Sequence, residues 1–458
     1  MKERFIVIGG DAAGMSAASK ARRENSKLEI IVLEKGGWAS YAACGLPYYL
    51  KGNVKNIEDL IAIQPEIFRK ERNIDLRLNH EVTRINPEKK IIVAQSPQGE
   101  IELTYHKLLI STGAKAVKPK IKGIDSHGVF FLRDIASAIK IKEYLAERAP
   151  KSVLIVGGGY IGLEMAEAFY SLGMSVQIVE LLPHLLNSFG LEIAEVVEKY
   201  IKNYVRLHLG RRVNKIREID TGKLSVYVST EQDKQQEDID TEMLLLATGI
   251  VPEVILAREA GIKLGPSGAI VTDEFGETNM PDIYAVGDCA EVTSIVTNQN
   301  TYIPLALTAN RNGRAVGSTI GGKKTHLSPV AGTAVVKVFQ LEVATTGLMD
   351  IEVAQKYGFN PIKNTIDSRS RAGYFPGSKP IKISLMADRN TKKLLGCSMV
   401  GEEGVAKRID IVATALYSKL TAEQLENLDL AYAPPFSPVW DPVLTAAKVL
   451  NGKLEGKH

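Results

Sequence analysis

The sequence predicts an α/β protein of two nested Rossmann-like domains followed by a C-terminal α+β domain. Three observations carry this expectation. A β-rich run entering a glycine turn occurs twice, at residues 5–14 and 153–162. Each turn leads into a helix-like stretch (15–25 and 163–172) and then a second strand-like run ending in an acid, Glu34 or Glu180, so the chain carries two βαβ openings. Beyond the second unit another short strand runs into a Gly287-Asp288 turn, which reads as a return to the first unit and makes the second an insertion within it.

Length and composition agree. At roughly 100–200 residues per domain, 458 residues make two to four domains. Hydrophobic residues at 45% and charged residues at 24% are a globular balance. A net charge of +4 is too small over this length for a nucleic-acid surface, so any basic site must be local. Three cysteines, Cys44, Cys289 and Cys397, are too few and too scattered for a disulfide framework or a zinc site, and fit a reducing compartment. The opening residues pass straight into a strand run without a signal-peptide pattern, and no window reaches the roughly 18 apolar residues of a transmembrane helix. The expectation is a cytoplasmic protein with no metal, no membrane and no nucleic-acid partner.

Glycine and proline punctuation sets the boundaries. Residues 111–114, followed by Pro119 and Gly123, mark an exit from the first domain; residues 247–249 with Pro252 mark the return; residues 317–324 read as a polar connector. The resulting domains are 1–115 with 248–325, 116–247, and 326–458. The polar run 231–238 reads as a solvated hairpin tip.

In a dinucleotide fold Gly9 makes the tight strand-to-helix turn, Gly14 lets the helix pack against the sheet, and the helix N-terminus faces a pyrophosphate. Asp11 replaces the second glycine of G-x-G-x-x-G and brings an unwelcome charge. The second turn is complete, with Gly157, Gly159 and Gly162. Glu34 and Glu180 stand where a carboxylate accepts hydrogen bonds from a ribose. Because Leu181, Leu182 and Pro183 supply no arginine for a 2′-phosphate, NADH is favoured over NADPH. Two such sites point to a flavin and a nicotinamide.

The segment Thr278 to Asp288 carries a T-x₄-(apolar)-Y-A-x-G-D pattern, and with it the chain resembles the flavoprotein pyridine nucleotide-disulfide reductases along essentially its whole length. The resemblance implies FAD and NAD(P)H as cofactors and a homodimer. It carries over as cofactor-binding positions Gly9, Gly10, Ala12, Ala13, Gly14, Glu34, Lys35, Cys44, Val82, Ser111, Thr112, Gly113, Arg133, Gly157, Gly159, Tyr160, Ile161, Gly162, Glu180, Gly249, Gly287, Asp288, Leu305, Ala306 and Tyr432. Glu164, one turn into the second helix, is a candidate nicotinamide contact or simply a solvated acid.

Cys44 follows the first acid-ending strand. The partner of a C-x₄-C pair would fall on Tyr49 and that of a C-x-x-C pair on Pro47, so Cys44 has no internal disulfide and must cycle with an external sulfur or through a sulfenic acid. A helix beginning near Leu46 would favour its thiolate. Most lone cysteines are small buried hydrophobes, and Cys289 and Cys397 are read that way. The surroundings of Cys44, Ser40-x₃-Cys44-Gly-Leu-Pro-Tyr48, resemble the single-cysteine branch of coenzyme A disulfide reductases and NAD(P)H-dependent persulfide and polysulfide reductases. In that branch, tyrosines matching Tyr374 and Tyr432 reach the cysteine from the partner subunit, where a phenol can protonate a leaving thiolate; interface packing is their blander reading.

The same resemblance places coenzyme A contacts at Ser16, Lys20, Arg23, Ser40, Ala43, Arg72, Asn310 and Trp440. Lys20, Arg22, Arg23 and Lys27 on the first helix, with Arg69, Lys70 and Arg72 on another, could hold its phosphates, although ordinary solvated helix faces also explain them. Ala43 stands where an asparagine is usual, Arg72 where a lysine is, and Trp440 where a basic residue is. The nearest rival function is an NADH oxidase or peroxidase with a sulfenic acid on Cys44, but those relatives carry a histidine where this chain has Ala12. A reductase for a protein electron acceptor and a non-enzymatic redox sensor are the remaining readings.

Overall fold

The computed structural model of the chain describes residues 3–220, 222–230 and 236–456. Its first sheet runs Ile283–Ala285, Lys107–Ile110, Arg4–Ile8, Glu29–Glu34, Asp75–Leu78, all parallel. The second runs Val129–Phe131, Met243–Leu246, Ser152–Val156, Ser175–Val179, Arg206–His208, again all parallel. The central strands are continuous apolar runs because both faces are covered, as parallel sheets require.

The internal repeat extends far beyond the glycine turns. Each unit inserts a three-stranded antiparallel meander before the strand that pairs with its glycine-turn strand: Glu81–Asn86, Ile91–Ser96, Gly99–Thr104 in the first, and Arg211–Asp220, Lys223–Thr230, Gln236–Thr241 in the second. Residues 231–235 of the polar run read as a hairpin tip lie outside the described residues. In the first unit the outer strand Ile283–Ala285 comes last in sequence; its counterpart Val129–Phe131 comes first, so the second unit sits between the fourth and fifth strands of the first. Its entry and exit run side by side, Ala114–Ala116 pairing antiparallel with Ile250–Pro252.

Two details differ from the sequence reading. The helices behind the glycine turns span Ala12–Glu24 and Tyr160–Ser171, three residues earlier than the periodicity suggests. Gly9 (φ +103°) and Gly157 (φ +113°) reverse the chain so sharply that helix follows at once. Gly317 is not part of a connector. It lies inside helix Ala306–Ile320, where an added Cβ would stand 2.2 Å from the Ala17 carbonyl oxygen, so its role is close helix–helix approach and the connector begins at Gly321.

The C-terminal region is a five-stranded antiparallel sheet, Ala334–Val338, Leu341–Gly347, Leu394–Gly401, Pro380–Asp388, Pro361–Arg369, with helices Val405–Tyr417 and Pro442–Leu454 sharing its core. No helix among the described residues is long and apolar enough to cross a membrane.

All three units meet at Glu167 on helix Tyr160–Ser171. Its buried carboxylate accepts Lys51 Nζ at 2.6 Å from the helix after Cys44, and Lys337 Nζ at 3.0 Å and the Phe339 amide at 2.9 Å from the C-terminal region. Replacing Glu167 with Gln leaves two facing ammonium groups without their counter-charge. Both lysines reach solvent, so the expected cost is about 2 kcal/mol rather than the full penalty of a sealed ion pair. Calorimetry should show an earlier unfolding transition; an unchanged profile would contradict this role.

Candidate active site

The two glycine turns are built alike. Neither helix that follows has a side-chain cap or an acidic residue in its first turn, so the leading N–H groups are free for an anion. A Cβ on Gly14 or Gly162 would fall 2.0 Å from the carbonyl oxygen of Gly9 or Gly157, which holds the helix on its strand. Glu34 accepts the Gly10 and Gly36 amides, both at 2.8 Å; Glu180 accepts those of Gly158 (2.6 Å) and Leu182 (2.8 Å). Each carboxylate is clamped to its turn with lone pairs to spare for a hydroxyl.

The turns differ at one residue. A Cβ on Gly159 would meet nothing within 4 Å, leaving open space over the helix start. In the first turn Asp11 holds that place, and its carboxylate accepts the Tyr41 amide at 3.2 Å. Burial, reinforced by Glu34, pushes it up to about 6. The charge that looked unwelcome in the sequence is therefore hydrogen-bonded to the neighbouring loop and partly neutralised.

Around the first turn, Ser111 Oγ donates to the Ile8 carbonyl (2.8 Å) and Thr112 Oγ1 to that of Glu253 (2.6 Å), so both hydroxyls brace the backbone. Gly113, Gly249 and Gly287 have positive φ. Asp288 pairs with Arg133 Nη2 at 3.3 Å, while Arg133 Nε donates to the Ala114 carbonyl, and burial still raises the Asp288 carboxyl. Leu305 and Ala306 open helix Ala306–Ile320 without a side-chain cap. Val82 is buried and Lys35 exposed beside Glu34. On the second turn Ile161 is half-buried, and Tyr160 rests edge-on against Phe189 at 5.5 Å. These features fit one dinucleotide in each unit.

Cys44 is exposed in a single turn, Ala43–Gly45, that runs into helix Leu46–Lys51. The helix is where the sequence placed it, but its effect on the thiol is not. Desolvation of the sulfur, followed by the carboxylates of Glu164, Asp288 and Asp11, pushes the thiol above its ordinary range, against the pull of Arg133. Glu164 itself is raised to about 7 by burial and by Glu167, against the pull of the neighbouring Tyr48 hydroxyl. Pro47, Tyr48, Lys51, Glu164, Glu167 and Lys337 line one small cavity.

Several of the expected coenzyme A positions converge on helix Ala12–Glu24. Ser16 Oγ donates to Asn310 Oδ1 at 2.7 Å, Arg72 lies over Phe68 and reaches Ser19 Oγ at 2.9 Å, and Lys20 pairs with Glu24. Ser16, Lys20 and Arg23 follow at helical spacing along one face. Ser40 (φ +53°) gives its amide to the Gly10 carbonyl, and Ala43 adjoins Cys44. Two of the basic residues belong elsewhere: Arg22 is spent on the carbonyls of Ser26, Arg72 and Asn73, and Lys27 lies past the helix end.

Tyr374 (76% exposed) and Tyr432 (45% exposed) are neighbours, and the Tyr374 phenol raises that of Tyr432. No hydrogen bond among the described residues joins either to Cys44 within the chain. Trp440, also exposed, has Lys448 Nζ 5.2 Å from its ring centroid. The sequence reading missed Glu167 and the Tyr48–Glu164 pair. Tyr48 lies inside the motif that singled out Cys44, but nothing local marks its partner.

The profile of the pyridine nucleotide-disulphide oxidoreductases matches residues 3–313, and that of their dimerisation domain residues 333–442. The chain is 38% identical over 452 residues to the CoA-dependent NAD(P)H sulfur oxidoreductase of Pyrococcus abyssi, covering 98% of this chain and 99% of that one. It is 37% identical over 458 residues to the NADH oxidase of Methanocaldococcus jannaschii, covering 99% and 100%. Its fold superimposes on the crystal structure of reduced Bacillus anthracis CoADR-RHD with a TM-score of 0.95 at 36% identity, covering 100% of this chain and 81% of that one.

Ionised Glu164 opposes ionisation of Cys44, so Glu164→Gln should let the thiolate form at lower pH. The check is the pH dependence of Cys44 alkylation by iodoacetamide in flavin-free protein. A profile that stays put or moves upward would show that Glu164 does not act on the sulfur.

Proposed function

The chain belongs to the pyridine nucleotide-disulphide oxidoreductases, and from that premise we propose that it is an FAD-dependent NAD(P)H oxidoreductase reducing a coenzyme A-linked sulfur–sulfur bond, as the disulfide or the persulfide, through Cys44. One observation carries this reading: Cys44 is exposed beside the first glycine turn, whereas Cys289 and Cys397 are fully buried and position 49 is a tyrosine. The thiol must take its second sulfur from the substrate.

We assign FAD to residues 1–115 with 248–325, NAD(P)H to 116–247, and subunit pairing to 326–458. Gly9, Gly14, Glu34 and Asp288 would hold the flavin nucleotide; Gly157, Gly159, Gly162 and Glu180 the nicotinamide nucleotide. Bound FAD supplies the two-electron relay between nicotinamide and sulfur. Cys44 thiolate attacks one sulfur of the disulfide, forming a Cys44–CoA mixed disulfide and releasing the first coenzyme A thiolate. Two electrons from NADH then cleave that bond, freeing the second thiolate and restoring Cys44. With one proton to each product, NADH, H⁺ and the disulfide become NAD⁺ and two thiols. A coenzyme A persulfide would give one thiol and hydrogen sulfide. Tyr374 and Tyr432 of the partner subunit donate the protons, and Ser16, Lys20, Arg23 and Arg72 hold the phosphates. The free thiols and the NAD(P)H requirement suit the cytoplasm.

Replacing Cys44 with Ser should lower coenzyme A disulfide turnover by more than about a hundredfold while NADH still bleaches the flavin. Unchanged turnover would sink the thiol mechanism. Mass spectrometry of the protein as isolated separates the rival reading: coenzyme A on Cys44 supports the sulfur reductase, and a sulfenic acid supports the oxidase. The clamped Glu180 carboxylate also favours NADH. Glu180→Ala combined with Leu181→Arg should raise kcat/KM for NADPH relative to NADH; no shift in that ratio would show that the ribose is read elsewhere.

A further inference from the structure

The loops that carry Tyr374 and Tyr432 are far apart in sequence and are fastened to one buried guanidinium. Arg408, on helix Val405–Tyr417, gives Nη2 to the carbonyls of Ser370 (2.9 Å) and Phe436 (3.2 Å). Ser370 precedes the Tyr374 loop and Phe436 closes the Tyr432 loop. Nε meets Asp441 at 2.8 Å, and Nη1 reaches the Gly404 carbonyl at 3.2 Å. Asp441 in turn accepts Ser437 Oγ at 3.0 Å and the Val443 amide at 2.9 Å, which fixes the start of helix Pro442–Leu454. The two loops also touch directly, the Ala372 amide donating to the Pro434 carbonyl at 3.2 Å. A planar fork that donates in several fixed directions suits this task; an ammonium on a flexible stem does not.

We propose that Arg408 is a positioning residue for the sulfur half of the reaction: by holding the Ser370 and Phe436 carbonyls on one guanidinium, it sets the relative placement of the Tyr374 and Tyr432 hydroxyls. Arg408 touches neither substrate nor cofactor and acts through the phenols. The inference rests on the reading that those phenols protonate leaving thiolates at the Cys44 of the partner subunit. Each thiolate takes the phenolic proton, and solvent returns one to the phenolate.

The test compares Arg408→Lys, which keeps the charge opposite Asp441 but loses the fork, with Tyr374→Phe/Tyr432→Phe and with the triple variant, all as the flavin-loaded protein. Arg408→Lys should lower kcat for coenzyme A disulfide on the order of tenfold with little change in KM, and leave flavin reduction by NADH at its normal rate. The triple variant should be no slower than the tyrosine double variant, because the two changes remove one function. ¹⁹F spectra of 3-fluorotyrosine-labelled protein, assigned with the single Phe variants, should show both resonances displaced in Arg408→Lys. If Arg408→Lys does not accumulate as a folded dimer, the same spectra and kcat are read on Asp441→Asn, which loosens the guanidinium from the other side. Normal kcat and unmoved resonances in a folded positioning variant, with the tyrosine variant impaired, overturn the inference alone. A further loss in the triple variant also overturns it. Normal turnover in the tyrosine double variant overturns the proton-donor reading, and the inference with it.

Discussion

Glu167 is the constraint on which the arrangement of the molecule depends. A carboxylate this far from water keeps its charge only where donors surround it, and here they come from two other parts of the chain, Lys51 on one side and Lys337 with the Phe339 amide on the other. The helix that bears Glu167 begins at the second glycine turn, and Lys51 ends the helix that begins beside Cys44. Fixing that contact fixes the distance between the second glycine turn and the sulfur, which no single domain could do by itself. Glu164 lies one helical turn earlier and lines the same cavity, where burial and then the Glu167 charge raise its carboxyl.

That coupling explains why the short helix after Cys44 fails to favour a thiolate. Helix Leu46–Lys51 has six residues, and its terminal partial charge is opposed by desolvation of the sulfur and by the carboxyl groups of Glu164, Asp288 and Asp11. Asp11, at about 6, and Glu164, at about 7, lose their protons before a thiol raised above its ordinary range does, so both stand charged against the sulfur when it would ionise. A lone accessible cysteine kept as a thiol is slow to oxidise to a sulfenic acid, since the thiolate is the reactive form. The cost is a lower resting concentration of nucleophile.

The features legible in the sequence are those whose physics is local. A glycine turn, a helix start and an acid some twenty residues on are linked by covalent geometry, so the two βαβ openings, the acids Glu34 and Glu180 and the nesting of one unit in the other could all be read from spacing. Gly317 was misread because glycine has two uses, chain reversal and close backbone approach, and only the position of Ala17 across the helix pair distinguishes them. The pairings that hold the site together lie further apart. Glu167 is 116 residues from Lys51 and 170 from Lys337, and Arg408 is 38 from Ser370. No periodicity encodes such contacts: those of Glu167 arise only after three separately patterned units dock, and that of Arg408 only once the C-terminal unit has folded.

The tyrosines show where the reading of one chain ends. Two neighbouring phenols at the surface, with exposed Phe436, Val439 and Trp440 nearby in sequence, make no hydrogen bond to Cys44 among the described residues of their own chain. Left to water, such loops would sample many arrangements and lose entropy on docking. Here the Ser370, Phe436 and Asp441 contacts of Arg408 have already removed that freedom within the single subunit. Loops ordered before a partner arrives give up less on association and present their side chains in one geometry. On the proposal that these phenols serve the Cys44 of the partner subunit, the buried guanidinium belongs to the reaction's preorganisation, carried by the subunit that lends the tyrosines rather than by the one that holds the sulfur.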